Sequence, residues 1–244
     1  MDYAPYGWRG KIGLIYIASA YAMDVEFYRM APKGVTVHTT RVALSDQPEH
    51  FTVDDLATLD HDAIQATRIL AQAPLDVIAF GCTSGSFVNG IKYDQRLINK
   101  MEGVSKLPCT TTATAVVKAT KALQVEKIAI ATPYTDDVNT LAKQYFTDSG
   151  LKITNITGLG IMDDYEISNL DIKKIYDMAV AADTDDAEAV FISCTGLSAA
   201  HLIKELEEDL KKPVITSNQA TFWHSLCLSG IGAKLDNFGQ LFTK

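Results

Sequence analysis

The chain has 244 residues, 47% of them hydrophobic and 21% charged, with a net charge of −8. That is enough polypeptide for one large domain or two small lobes, in a composition ordinary for a soluble globular protein. The acidic balance, with no Lys/Arg run, sets aside nucleic acid and anionic membrane surfaces as partners. The first apolar stretch, about ten residues, is shorter than a membrane span and has no signal-peptide cleavage pattern, so a cytoplasmic protein is expected.

Strand-like and helix-like segments alternate from there. Residues 11–17 are β-branched and apolar, as in a buried parallel strand, and "VTVHTTRV" at 35–42 alternates as a second strand. Thr52 is placed to cap a helix that the apolar spacing carries to about residue 73. Residues 76–80 read as a strand, 93–101 as helix, "LPCTTTA" as a short strand running into a loop, and 113–123 as helix. The second part repeats the rhythm: strand 127–131, helix 137–149 ended by Gly150, strand 152–157, helix 170–182, strand 189–193, helix 201–210, strand 214–217 and a closing helix 219–229. Such β–α alternation predicts an α/β fold with parallel sheets flanked by helices.

Three landmarks recur in the same order at nearly constant spacing. "KIGLIYI" matches "KIAIATP", Cys82 matches Cys194, and "LPCTTTATA" matches "KPVITSNQA". An internal duplication follows: two pseudo-symmetric, doubly wound α/β lobes, 1–112 plus 218–244 and 113–217, with the active site in the cleft where strand ends face each other.

Four cysteines show no CxxC and no close pair, and five histidines show no metal-ligand spacing. Free thiols, no metal and no cofactor are expected. No GxGxxG or GxxxxGK[ST] signals a nucleotide. Cys109, within a strand, and Cys227, beside Leu226 and Leu228, read as packing residues. Cys82 in "GCTSGS" and Cys194 in "SCTGLS" differ, because each follows a strand at what should be a helix N-terminus. Unpaired amides and the helix dipole there would favour a thiolate. Thr83, Ser84 and Thr195 with nearby amides would cradle a carboxylate. Asp136 and Asp137 read as the start of a helix, and Asn218 as either a crossover turn or a ligand donor.

"GCTSGS", "ATPYTDDVN", "SCTGL" and "TFWHSLCLSGIGAK…FGQLF" resemble the aspartate/glutamate racemase superfamily, in the branch of maleate cis–trans isomerase, arylmalonate decarboxylase and the ectoine-utilisation proteins. The resemblance runs from residue 12 to 242 and implies two facing flavodoxin-like lobes, no cofactor and a small carboxylate between the cysteines. It makes Cys194 the second-lobe acid and Cys82 the first-lobe counterpart, a position where the decarboxylases have glycine. It further implies that Thr83 and Ser84 hold the retained carboxylate, that Tyr134 binds substrate oxygens, and that the amides of Thr195 and Gly196 complete the cradle. Ser19 occupies the mirror loop to Tyr134. Maleate isomerases carry Pro-Ser-Ser-Asn after the first strand and the decarboxylases a double proline; here the stretch is Ile17-Ala18-Ser19-Ala20.

The leading expectation is a cofactor-independent isomerase or racemase of a small carboxylic acid, using Cys82 and Cys194 from opposite faces. A decarboxylase using Cys194 alone as proton donor is the second, and a non-catalytic small-carboxylate binder the third. Lobes of this size commonly associate, so a homo-oligomer is compatible with the sequence.

Overall fold

The computed structural model describes residues 4–243. In chain order the first part comprises β1 (Gly10–Ile17), α1 (Ala22–Met30), β2 (Val35–Val42), α2 (Val53–Ala57), α3 (Asp60–Leu70), β3 (Val77–Gly81), α4 (Thr83–Phe87), α5 (Ile91–Ser105), β4 (Cys109–Thr111) and α6 (Thr112–Leu123). The second comprises β5 (Lys127–Thr132), α7 (Asp136–Asp148), β6 (Lys152–Gly158), α8 (Asp164–Ser168), α9 (Ile172–Ala182), β7 (Ala189–Ile192), α10 (Ile203–Leu210), β8 (Val214–Thr216) and α11 (Ser217–Leu228).

Each part builds a four-stranded, wholly parallel sheet, ordered β2-β1-β3-β4 in one and β6-β5-β7-β8 in the other. Identical strand order gives the sequence repeat its structural meaning: two flavodoxin-like α/β units. The central strands β1, β3, β5 and β7 are almost fully buried, which is why they read as unbroken apolar runs. β2 and β6 lie at the edges and keep residues partly exposed, which is why β2 alternates.

Threonine caps set several helix starts. Thr52 forms a capping box with Asp55, Thr111 accepts from the Thr114 amide, and Thr216 forms a capping box with Gln219. The helix expected from 52 to 73 breaks in two. The Thr58 hydroxyl donates to the carbonyls of Asp54 and Asp55, and its amide also turns back to Asp55, which closes α2 before α3 begins.

α11 follows β8, yet it packs against α6, α1, β3 and β4 of the first part. The end of the chain therefore ties the second sheet to the first. Cys109 is buried as expected, but Cys227 is exposed. It sits one position beyond the buried Leu226, on the solvent side of α11. No helix among the described residues is long and apolar enough to cross a membrane.

Candidate active site

β3 and β7 occupy equivalent places in the two sheets, and each delivers a cysteine just past its carboxyl end. β3 ends at Gly81, and Cys82 caps α4 with its Sγ accepting the Gly85 amide at 3.3 Å. A Cβ on Gly85 would stand 3.0 Å from that sulfur and closer still to Leu59, so glycine is what lets the amide approach the thiol. β7 ends at Ile192, and Cys194 follows with its Sγ accepting the Gly196 amide at 3.3 Å. Both cysteines line one small cavity of about 20 Å³. Thr83, Ser84, Tyr134, Thr195 and Gly196 share its wall, so the structure brings seven of the eight expected residues to a single pocket, both cysteines included, and leaves out Ser19. Ile17, Leu44, Phe51, Leu56 and Ile167 make the apolar side.

Two expectations need correction. Cys194 does not begin a helix: a turn and a short 3-10 segment at Ala200–Leu202 intervene before α10. Its backbone instead takes φ +150°, a region that residues with a Cβ rarely enter and that tends to be stored at functional sites. Nor does either site hold a thiolate in the free protein. Burial pushes the Cys82 thiol up to about 11 against the pull of the Gly85 amide and the Ser84 hydroxyl. Burial and then the nearby Asp164 carboxylate push Cys194 up to about 12 against the Tyr134 hydroxyl and the Gly196 amide. Desolvation of a charged sulfur outweighs one or two amide dipoles.

Side chains outside the expected cysteine and substrate-binding set hold the site together. Ser217, first residue of α11, accepts from the Thr83 hydroxyl at 2.9 Å and from the Cys194 amide at 3.0 Å. One oxygen thereby joins the two cysteine loops. Tyr16 donates to the Thr195 carbonyl at 2.9 Å. Asn218 Nδ2 reaches the Thr195 carbonyl at 3.3 Å and the Leu197 carbonyl at 3.4 Å, and is gripped by the Glu26 carboxylate at 2.6 Å. Asn218 is thus a brace for the Cys194 loop. Glu26 also accepts the Ala200 amide at 2.8 Å, and burial pushes its carboxyl up to about 7.

The Tyr134 hydroxyl interacts with Cys194 and Thr83, and burial raises it well above its ordinary range. Ser19 lies behind the wall and donates to Asp164 Oδ2 at 2.5 Å; Asp164 itself lines the cavity. Asp136 and Asp137 are exposed in the first turn of α7, Trp223 is half-buried and Phe222 is core. Of the missed residues, Ser217 carried a signal, since it falls in the "TSNQA" repeat of "TTTATA"; Asp164 carried none beyond an acidic pair. Among the described residues no group of three His, Cys, Asp or Glu side chains could hold a metal ion.

Comparison with known proteins gives one family and a set of relatives. The family described as arylmalonate decarboxylase matches residues 12–242. An arylmalonate decarboxylase from Bordetella bronchiseptica is 32% identical over 95% of this chain and 95% of its own. A maleate isomerase from Geobacillus stearothermophilus is 23% identical over 96% of this chain and 97% of its own. Among solved structures, a liganded arylmalonate decarboxylase carrying a glycine-to-cysteine and a cysteine-to-serine change superposes with a TM-score of 0.86 at 29% identity, covering 96% of this chain and 98% of that one. A Nocardia farcinica maleate cis–trans isomerase with a covalently bound succinylcysteine intermediate superposes with a TM-score of 0.88 at 19% identity, covering 96% and 98%.

Proposed function

The chain belongs to the arylmalonate decarboxylase family, and we propose that it is a cofactor-independent isomerase or racemase of a small carboxylic acid, with Cys82 and Cys194 as its catalytic pair. The observation that carries this reading is the matched placement of two thiols, each at the tip of the equivalent strand and both on one cavity. We propose the same division for the halves as the repeat suggests, residues 1–112 with 218–244 and residues 113–217.

In the racemase form, one sulfur takes the α-proton of the bound acid and the electron pair moves into the carboxylate as an aci-carboxylate. The other thiol then delivers its proton to the opposite face of the same carbon. In the isomerase form, one thiolate adds to the double bond, the negative charge delocalises into the adjacent carboxylate, the new single bond rotates, and elimination returns the thiolate with the other geometry. Thr83, Ser84 and the Thr195–Gly196 amides are the donors proposed to hold the carboxylate where charge develops. Both thiols are protonated in the free protein, so one is ready to act as acid, while the other must first release its proton to solvent before it can serve as base or nucleophile.

The test is α-deuterium exchange or isomer conversion in D₂O, followed by NMR over maleate, amino acids, hydantoins and arylmalonates. Cys82→Ser and Cys194→Ser should each lower the rate by about 100-fold or more, the usual worth of a positioned proton-transfer group. Full activity in either variant would sink the two-thiol mechanism. Family membership and the 32% relative support a second reading, decarboxylation with Cys194 alone. There the C–C bond breaks, CO₂ leaves, and Cys194 protonates the carbanion. CO₂ release that survives Cys82→Gly but not Cys194→Ser would select it.

A further inference from the structure

Asp164 is a pocket group with no task in either mechanism above. It opens α8 in the second part of the chain, is 7% exposed, and lines the same cavity as Cys82, Cys194 and Thr83. Its Oδ2 accepts from Ser19 across the two halves at 2.5 Å. None of the cavity's lining residues is a lysine, arginine or histidine. The neighbouring cation, Arg41, is committed elsewhere: it pairs with Asp24, donates to the Ile17 carbonyl at 2.8 Å and the Ala20 carbonyl at 2.5 Å, and lies over the Tyr16 ring.

A dicarboxylate has two negative ends. One can take the hydroxyls of Thr83 and Ser84; the other would meet Asp164, whose carboxyl burial already raises, with no cation beside it, so the two acids could sit together only by taking up a proton at a cost in affinity. A ligand with one carboxylate and one N–H-bearing group has the complementary pattern, its donor facing the carboxylate of Asp164. We infer that the substrate is a monocarboxylate carrying an ammonium or other N–H group near the reacting carbon, and that Asp164, oriented by Ser19, is the specificity-determining residue that binds that group. The inference rests on the reading of a carboxylate held between Cys82 and Cys194.

The same arrangement gives Asp164 a second effect. Its charge opposes ionisation of both thiols. A bound ammonium offsets that charge, so the thiolate becomes accessible when the matching ligand arrives and not before.

2-Phenylglycine and phenylmalonate isolate the question, because they differ by an ammonium in place of one carboxylate on the same phenyl-bearing carbon; alanine and methylmalonate repeat the pair at smaller size. Binding to the wild-type protein and to Asp164→Asn is measured by calorimetry at pH 7.5, with thermal melting to confirm folding. The wild type should favour the amino member of a pair, and Asp164→Asn should swing that ratio toward the diacid by about 100-fold. Ser19→Ala, which leaves the carboxylate in place but frees it to turn, should narrow the ratio in the same direction and serves if the first variant is unfolded. Tighter binding of the diacid by the wild type, an unchanged ratio in both variants, or binding of neither pair overturns the proposal. Deuterium exchange in Cys82→Ser and Cys194→Ser is read separately. Loss of the ligand preference with both thiols still essential removes Asp164 alone, whereas dispensable thiols remove the mechanism and leave the preference standing.

Discussion

With Cys82 at about 11 and Cys194 at about 12, both sulfurs carry their protons at neutral pH and react slowly with electrophiles, which attack the thiolate. Cys227 is exposed on α11 and is the accessible competitor. Peptide mapping after iodoacetamide at pH 7.5 should therefore find Cys227 labelled first, with Cys82 and Cys194 catching up only toward pH 11. Slow labelling at neutral pH is thus a property of the buried pair itself and does not separate an enzyme from a mere binder. Tyr134 is among the groups that hold the Cys194 thiol down. Tyr134→Phe should leave the fold intact and slow Cys194 labelling further at alkaline pH; on the proposal that its hydroxyl binds substrate oxygens, it should also lower turnover by roughly 10- to 100-fold. Ser217→Ala acts on both loops at once. It strips the acceptor from the Thr83 hydroxyl and the Cys194 amide, and leaving such buried donors unpaired costs about 1–3 kcal/mol, readable as a lowered denaturation midpoint.

α1 shows how an element can carry an ionisable brace. Its buried face includes Glu26 among Ala22, Met23, Phe27 and Met30, and that carboxyl is raised from 4.5 to about 7. A carboxyl with a folded pKa above its unfolded one binds its proton more tightly in the native state. Its contribution is fully present below about pH 4.5 and is lost as pH rises through about 7. Glu26→Gln should flatten the fall in denaturation midpoint between pH 5 and 8, and a variant that kept the wild-type slope would show the carboxyl to be a bystander. The same face explains why α1 escaped the sequence reading: a glutamate in the buried stripe blurs the apolar period that marks a helix. The helix start expected at Cys82 is α4, but its extent was not legible, because "TSGSF" sets four small or polar residues of poor helix propensity ahead of Phe87, held by Cys82 as cap and by its packing. The long elements were legible, since central strands are apolar on both faces and Thr52 announces its cap. Both catalytic candidates were legible too, because the repeat sets them in matching contexts. What could not be read was the balance of burial against amide dipoles at each sulfur, or the arrival of Asp164 from the far half, since both depend on tertiary packing.

The two halves meet over a buried seam as well as at the thiols. Asp94 on α5 accepts from Tyr145 on α7 at 2.7 Å and from Thr114 on α6 at 2.6 Å. Phe87 on α4 packs edge-on against Tyr134 and Phe146 of the second part. Phe87→Ala should cost about 3–5 kcal/mol, the range for deleting a buried ring, and should lower activity with it, since α4 carries Thr83 and Ser84. α6 and α11 pack against each other where the halves join, so unfolding by heat should follow a single transition in calorimetry. This stitching also bears on traffic. At about 20 Å³ the cavity has room for roughly one water molecule, less than any of the acids considered. α6 and α11 each touch both sheets, which opposes a hinged opening between them. One wall comes from the run that supplies Leu44, Phe51 and Leu56, together with the short turn at Pro48–His50 that lies against α8. An acid can enter only if the lining gives way, so a turnover number that drops as glycerol thickens the solvent is the expected sign that chain movement, and not chemistry, sets the pace.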